Sequence, residues 1–124
     1  MRYMMIVKGD ENFRASGPPP KELMGAIGQL GEAAARAGKM VSMGGLQHSA
    51  KGASVRVRGG KLIVTDGPFS EAKEVIGGFT IMNLASREEA IEEARKFMDL
   101  HRQLWPAWEG DCEVREMYEG GDHP

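Results

Sequence analysis

Cysteine is nearly missing from this 124-residue chain. Cys112 stands alone, which excludes an intrachain disulfide and a cysteine-rich zinc site and fits a reducing, cytoplasmic setting. Neither sign of charge dominates: the formal net charge is −2, so no overall positive field draws the chain to nucleic acid. Aromatic residues make up 6%, and none interleaves the one small basic patch, Arg56, Arg58 and Lys61, which weakens a nucleic-acid reading further. No apolar run approaches the roughly 18 residues a membrane span needs. The opening run Met1 to Lys8 is too short for a secretory signal, and no small-residue cleavage site follows it. Histidine is confined to His48, His101 and His123, with no His-x-x-x-His spacing. We therefore expect no metal and no cofactor; a Zn²⁺ or Ni²⁺ site assembled from distant residues has no support in the spacing.

What is present suits a single domain, residues 1–118, followed by a polar tail, 119–124. Tyr3 to Lys8 reads as a strand that is apolar on both faces. Residues 9–19 read as a loop ending in a proline run, and prolines suit the first turn of the helix Pro20–Ala37. Gly25, Gly28 and Gly31 interrupt that helix at a cost of about 1 kcal/mol each, so close packing against a sheet is expected to offset them. Met40–Met43 is a short strand. Ser54–Arg58 and Lys61–Thr65 form a hairpin around Gly59-Gly60, and Phe79–Leu84 is the next strand. Ser86 and Glu89 make a capping box for a helix carrying Ala90, Ile91, Ala94, Phe97 and Met98 on one face. Asp99–Trp105 reads as a second, shorter helix stopped by Pro106, and Cys112–Tyr118 as the last strand.

The order β-α-β-hairpin-β-α-β predicts an α+β fold: a ferredoxin-like antiparallel sheet with helices on one face. Two helices cover one side of the sheet only, whereas the first strand is apolar on both. A second copy laying its own sheet there would resolve the conflict. The expectation is a homodimer, sheets face to face, with a cleft between or beside them.

The stretch Thr65-Asp66-Gly67-Pro68-Phe69, with Glu71, Lys73, Glu74 and Gly77-Gly78, resembles DGPF-type members of the YCII-related family. Gly45-Leu46-Gln47 and Val55 to Lys61 look typical as well, and the resemblance runs from about residue 2 to about residue 118. It implies a dimeric α+β barrel of ferredoxin-like subunits, in a family that is largely uncharacterised. Some relatives carry a His–Asp pair proposed for acid–base chemistry, its histidine in the first helix. The helix Pro20–Ala37 holds no histidine, so only the aspartate side has a candidate, Asp66. DGPF-type proteins are also often encoded beside extracytoplasmic-function sigma factors, which implies a regulatory context without a mechanism.

Each candidate residue has a chemical reading and a plain one. Asp66 could act as a general base or orient a histidine, or its oxygens could lock the Asp-Gly turn. Glu71, Lys73 and Glu74 could form a pocket lip for a polar ligand, or a solvated loop. His48 and His101 are the natural acid–base partners for Asp66; either alone reads as structural or surface. Gln47 and Phe69 are candidate ligand contacts beside them. Trp105, with Trp108 and Phe97, could line an apolar pocket, or belong to core or interface. Cys112 reads as a buried, inert thiol. Two functions remain open. One is a binder of a small polar molecule, or an acid–base enzyme, using a dimer-associated pocket; whether any reaction occurs is left undecided. The other is a non-catalytic regulatory or interaction protein linked to a sigma-factor system.

Overall fold

A computed structural model describes residues 1–15, 17–69 and 74–119 of the chain. Strand β1 (Arg2–Gly9) follows the period-two alternation: Tyr3, Met5 and Val7 are buried, while Met4 and Ile6 are half-buried on the opposite face. A short helix, α1 (Glu11–Ala15), comes next, where the sequence suggests only loop. Its start is fixed by Asp10, whose carboxylate accepts the Asn12 N–H at 2.9 Å and whose carbonyl accepts the Phe13 N–H at 3.2 Å.

Helix α2 (Lys21–Arg36) begins directly after Pro20. It ends in a paired-bond cap: Lys39 N–H donates to Ala34 O at 2.9 Å and Gly38 N–H to Ala35 O at 3.0 Å. That turn requires the positive φ of 73° that Gly38 adopts. Strand β2 (Met40–Gly45) leads through residues 46–48 into a single 3₁₀ turn, Ser49–Lys51. Strands β3 (Ala53–Arg58) and β4 (Lys61–Asp66) make the expected hairpin, with Gly59 and Gly60 at φ 55° and 74° as a primed turn demands.

Strand β5 (Val75–Asn83) starts earlier than expected and takes in Gly77-Gly78. The expected break before Asp99 is absent, and one helix, α3 (Arg87–Leu104), runs on to the turn before Pro106. Nothing in Lys96 to Leu100 interrupts helical hydrogen bonding, and Asp99 binds Arg102 and Gln103 one turn on, as neighbours on a continuous helix do. Ser86 Oγ accepts the Glu89 N–H at 3.1 Å, and Glu89 reaches back to the Ala85 N–H at 3.0 Å. Strand β6 (Gly110–Glu116) closes the fold two residues earlier than the alternation suggests.

Four strands form one antiparallel sheet in the order β2-β5-β1-β6, and β3 and β4 pair only with each other. The architecture is α+β with an open sheet; the described residues close no barrel. One face is roofed by α2 and α3. There Tyr3, Met5, Met82 and Leu84 meet Ala34, Ala90 and Ala94, with Met40, Cys112 and Val114 alongside. Each large apolar side chain buried this way contributes about 1.5–3 kcal/mol. The glycine stripe of α2 is not used as expected. A Cβ at Gly25 or Gly28 would meet nothing, because both point to solvent; only at Gly31 would one lie close to a neighbour, 3.1 Å from Met43 Sδ.

Candidate functional site

Three chain segments meet where β1 ends. The cap at Asp10 turns the chain so that Glu11 points back beneath the 3₁₀ turn. There both of its oxygens are engaged by one residue: the Ser49 N–H donates to Oε2 at 3.0 Å and the Ser49 hydroxyl donates to Oε1 at 2.5 Å. Ser49 is buried, and its Oγ also accepts the N–H of Phe69 at 2.9 Å. One hydroxyl thus ties α1 to the Asp-Gly-Pro-Phe turn. Burial alone would raise the carboxyl pKa of Glu11; the two bonds from Ser49 and the neighbouring His48 ring outweigh it, and the net shift is downward. Glu11 is a fixed anion at neutral pH.

Gly67 explains the motif's glycine. A Cβ there would fall 1.7 Å from the Ser49 carbonyl oxygen, and the Gly67 N–H donates to Gly52 O at 2.9 Å. The Gly67–Pro68 bond is cis. The motif acts as a wedge against the 3₁₀ turn.

His48 caps that turn. Its Nδ1 accepts the Ala50 N–H at 3.0 Å, so the neutral ring carries its proton on Nε2. Nε2 lies 3.7 Å from Glu11 Oε1, within ionic reach and beyond a direct hydrogen bond. Glu11, His48, Asp10, Gln47 and Trp108 line a cleft of about 180 Å³, completed by Val7, Gly9, Leu46, Val75, Ile76 and Gly77. A cavity of about 150 Å³ holds a benzene ring, so the space suits a small ligand of one ring or similar.

Val7 and Gly77 also border an adjoining apolar recess of about 160 Å³, walled by Leu23, Phe97, His101 and Trp105 among others. His101 is buried, with its Nδ1–H donating to the Phe97 carbonyl at 3.0 Å and its ring 4.7 Å from both Phe97 and Trp108. Trp105 lies 5.3 Å from Phe13 and stacks near Trp108 at 6.2 Å. On the far side of residues 46–48, Phe69 and Glu74 line an open, shallower recess. The carboxyl pKa of Glu74 is raised, chiefly by its hydrogen bond with Asp111 and the like charge there.

The structure therefore brings His48 and Gln47 together in one cleft and sets His101 and Trp105 in its apolar extension. It does not bring Asp66 to either histidine. Asp66 is exposed at the end of β4, and its side chain makes no hydrogen bond or ion pair with a described residue. The carboxylate facing His48 is Glu11. Glu71 and Lys73 lie outside the described residues. Glu11 escapes a reading of spacing because 38 residues separate it from Ser49; the Asp-x-x-Phe cap ahead of the proline run was the available signal. Ser49 does not belong to a nucleophilic triad: it is buried and its hydroxyl is committed to Glu11 and Phe69. Among the described residues no group of three His, Cys, Asp or Glu could hold a metal ion.

The YCII-related domain model matches residues 1–98, which include β1, the starts of all three α-helices, the 3₁₀ turn and the Asp-Gly-Pro-Phe wedge. The chain belongs to the YCII-related family. This YCII-related protein is also similar to the uncharacterized protein R00369 of Rhizobium meliloti (strain 1021), with 29% identity over 128 residues, covering 100% of this chain and 99% of that protein. No helix of the YCII-related chain is long and apolar enough to cross a membrane, among the residues described.

Proposed function

We propose that this YCII-related protein binds a small molecule in the Glu11–His48–Trp108 cleft and that the His48 Nε2–H donates a hydrogen bond to it. The observation that carries this reading is the fixed tautomer of His48. With Nδ1 held by the Ala50 N–H, Nε2 is the atom directed at the cleft, 3.7 Å from a carboxylate that stays ionised. A ring whose Nδ1 is held by a backbone donor presents its Nε2–H as a hydrogen-bond donor in a fixed direction.

The subunit plan that agrees with the strand order β2-β5-β1-β6 is the ferredoxin-like one, and its natural completion is a face-to-face homodimer. Met4, Ile6, Phe79 and Ile81 share the unroofed sheet face, paired Met4 with Ile81 and Ile6 with Phe79. A cytoplasmic setting agrees with the lone thiol of Cys112, which burial pushes up to about 11. The regulatory alternative, a sigma-factor connection, rests on the resemblance alone, and the cleft favours the small-molecule reading.

The test is a thermal-shift screen of a metabolite panel on wild type and His48→Gln. Ligand that binds the native state raises the apparent melting temperature. Compounds that stabilise wild type and lose that effect in a folded His48→Gln support the reading. A panel whose hits are indifferent to His48, or that yields no hit, sinks it.

A further inference from the structure

The polar groups lining the cleft have a one-sided charge. Asp10 and Glu11 contribute carboxylates, Gln47 an amide and His48 an imidazole; no lysine or arginine is among the described lining residues. Lys8, the nearest cation along the chain, is spent on the other sheet face, 2.6 Å from Glu113. An ionised carboxylate has about four acceptor positions, and Ser49 fills two of those on Glu11, one on each oxygen. Capacity for a further donor remains beside the cleft. Asp10 is exposed at its rim, with Oδ1 accepting from Asn12.

The remaining walls are apolar and aromatic. Trp108 packs closely over two glycines: a Cβ on Gly9 would lie 3.3 Å from its ring, and one on Gly110 would overlap it. Leu46, Val75 and Ile76 face it across the cleft. An anionic ligand would meet two carboxylates and no lysine or arginine, whereas a cation gains from both carboxylates and from an indole within reach.

We infer that the cleft selects a small protonated amine carrying an apolar body of about one ring, its ammonium directed at Glu11 and Asp10 and its body against Trp108. This rests on the small-molecule reading of the same cleft and adds the sign of charge it accepts. His48 Nε2–H and the Gln47 amide then serve a neutral polar group on the same molecule.

The experiment titrates phenethylamine and, as a similarly sized anion, 3-phenylpropionate into the full chain, following the Trp108 indole N–H and the His48 ring by NMR. Phenethylamine is expected to shift both signals saturably and 3-phenylpropionate to leave them in place. Glu11→Gln keeps an oxygen for Ser49 and should weaken phenethylamine about tenfold, the effect of removing one well-placed charge contact. Should that variant lose its fold, Asp10→Asn, which preserves the cap at an exposed position, should weaken the amine in the same direction. Equal or tighter binding of 3-phenylpropionate at these signals overturns the charge assignment while leaving the small-molecule cleft standing. Indifference of phenethylamine to both variants, or no shift at either residue, overturns the inference outright, and the His48-dependent screen then decides the wider reading separately.

Discussion

At the scale of single residues, the Asp-Gly-Pro-Phe motif divides its labour unequally. Asp66 is the letter with chemical potential and it is exposed on a hairpin end; Gly67 is the letter without a side chain and the fold depends on it. Its absent Cβ is the room that the Ser49 carbonyl occupies, and a backbone atom cannot swing aside as a side-chain tip can. Gly67→Ala is therefore expected to cost about 3 kcal/mol, the upper part of the usual range for overpacking. The loss should exceed that of Gly52→Ala, whose Cβ would sit at an ordinary 3.5 Å from the same oxygen. Urea unfolding of the two variants measures the contrast, and near-equal midpoints would refute the wedge. This also marks where sequence reading stopped. The motif was legible as a family signature and as a strand-to-turn transition. Its function as a wedge was not, because it depends on Ser49, a contact set by tertiary approach. For the same reason Asp66 is conspicuous in the sequence, whereas Glu11, the carboxylate that faces His48, is not.

At the scale of elements, features written in neighbouring residues were legible and those requiring a partner were not. The Ser86 cap, the Gly59-Gly60 turn and the Gly38 helix end depend on local hydrogen bonding and φ alone, and each is found where the residue types place it. Helix α1 is one and a half turns long and was hidden by its lack of apolar periodicity. The glycines of α2 show the opposite failure: periodic small residues suggest a close neighbour, yet Gly25 and Gly28 point to open space. An exposed glycine inside a helix keeps its entropic penalty with no packing gain. Gly25→Ala and Gly28→Ala should each stabilise the protein by about 1 kcal/mol, seen as a higher urea midpoint at unchanged slope. Destabilisation by either would mean that another surface approaches that stripe closely.

At the scale of the whole molecule, the β3–β4 hairpin leaves an apolar face open. Val55 pairs with Val64 and Val57 with Leu62 on one face, and the four are 65%, 68%, 65% and 75% exposed. A two-stranded hairpin with no sheet or helix behind it is marginally stable in water, so an apolar face of this kind needs a cover. The proposed second copy would supply one, since its own unroofed face presents Met4, Ile6, Phe79 and Ile81, all apolar. Leu62→Lys combined with Val55→Lys places two ammonium groups in that cover without touching the core, which draws no residue from β3 or β4. Sedimentation velocity at micromolar concentration should give twice the chain mass for wild type and a shift toward the single-chain mass for the double variant, with far-ultraviolet circular dichroism showing that the sheet and helices persist. A wild-type protein that sediments as one chain would remove the dimer from the argument and leave the hairpin face waiting for a different partner. A variant that dimerises as well as wild type would move the interface away from the hairpin and onto the sheet face alone.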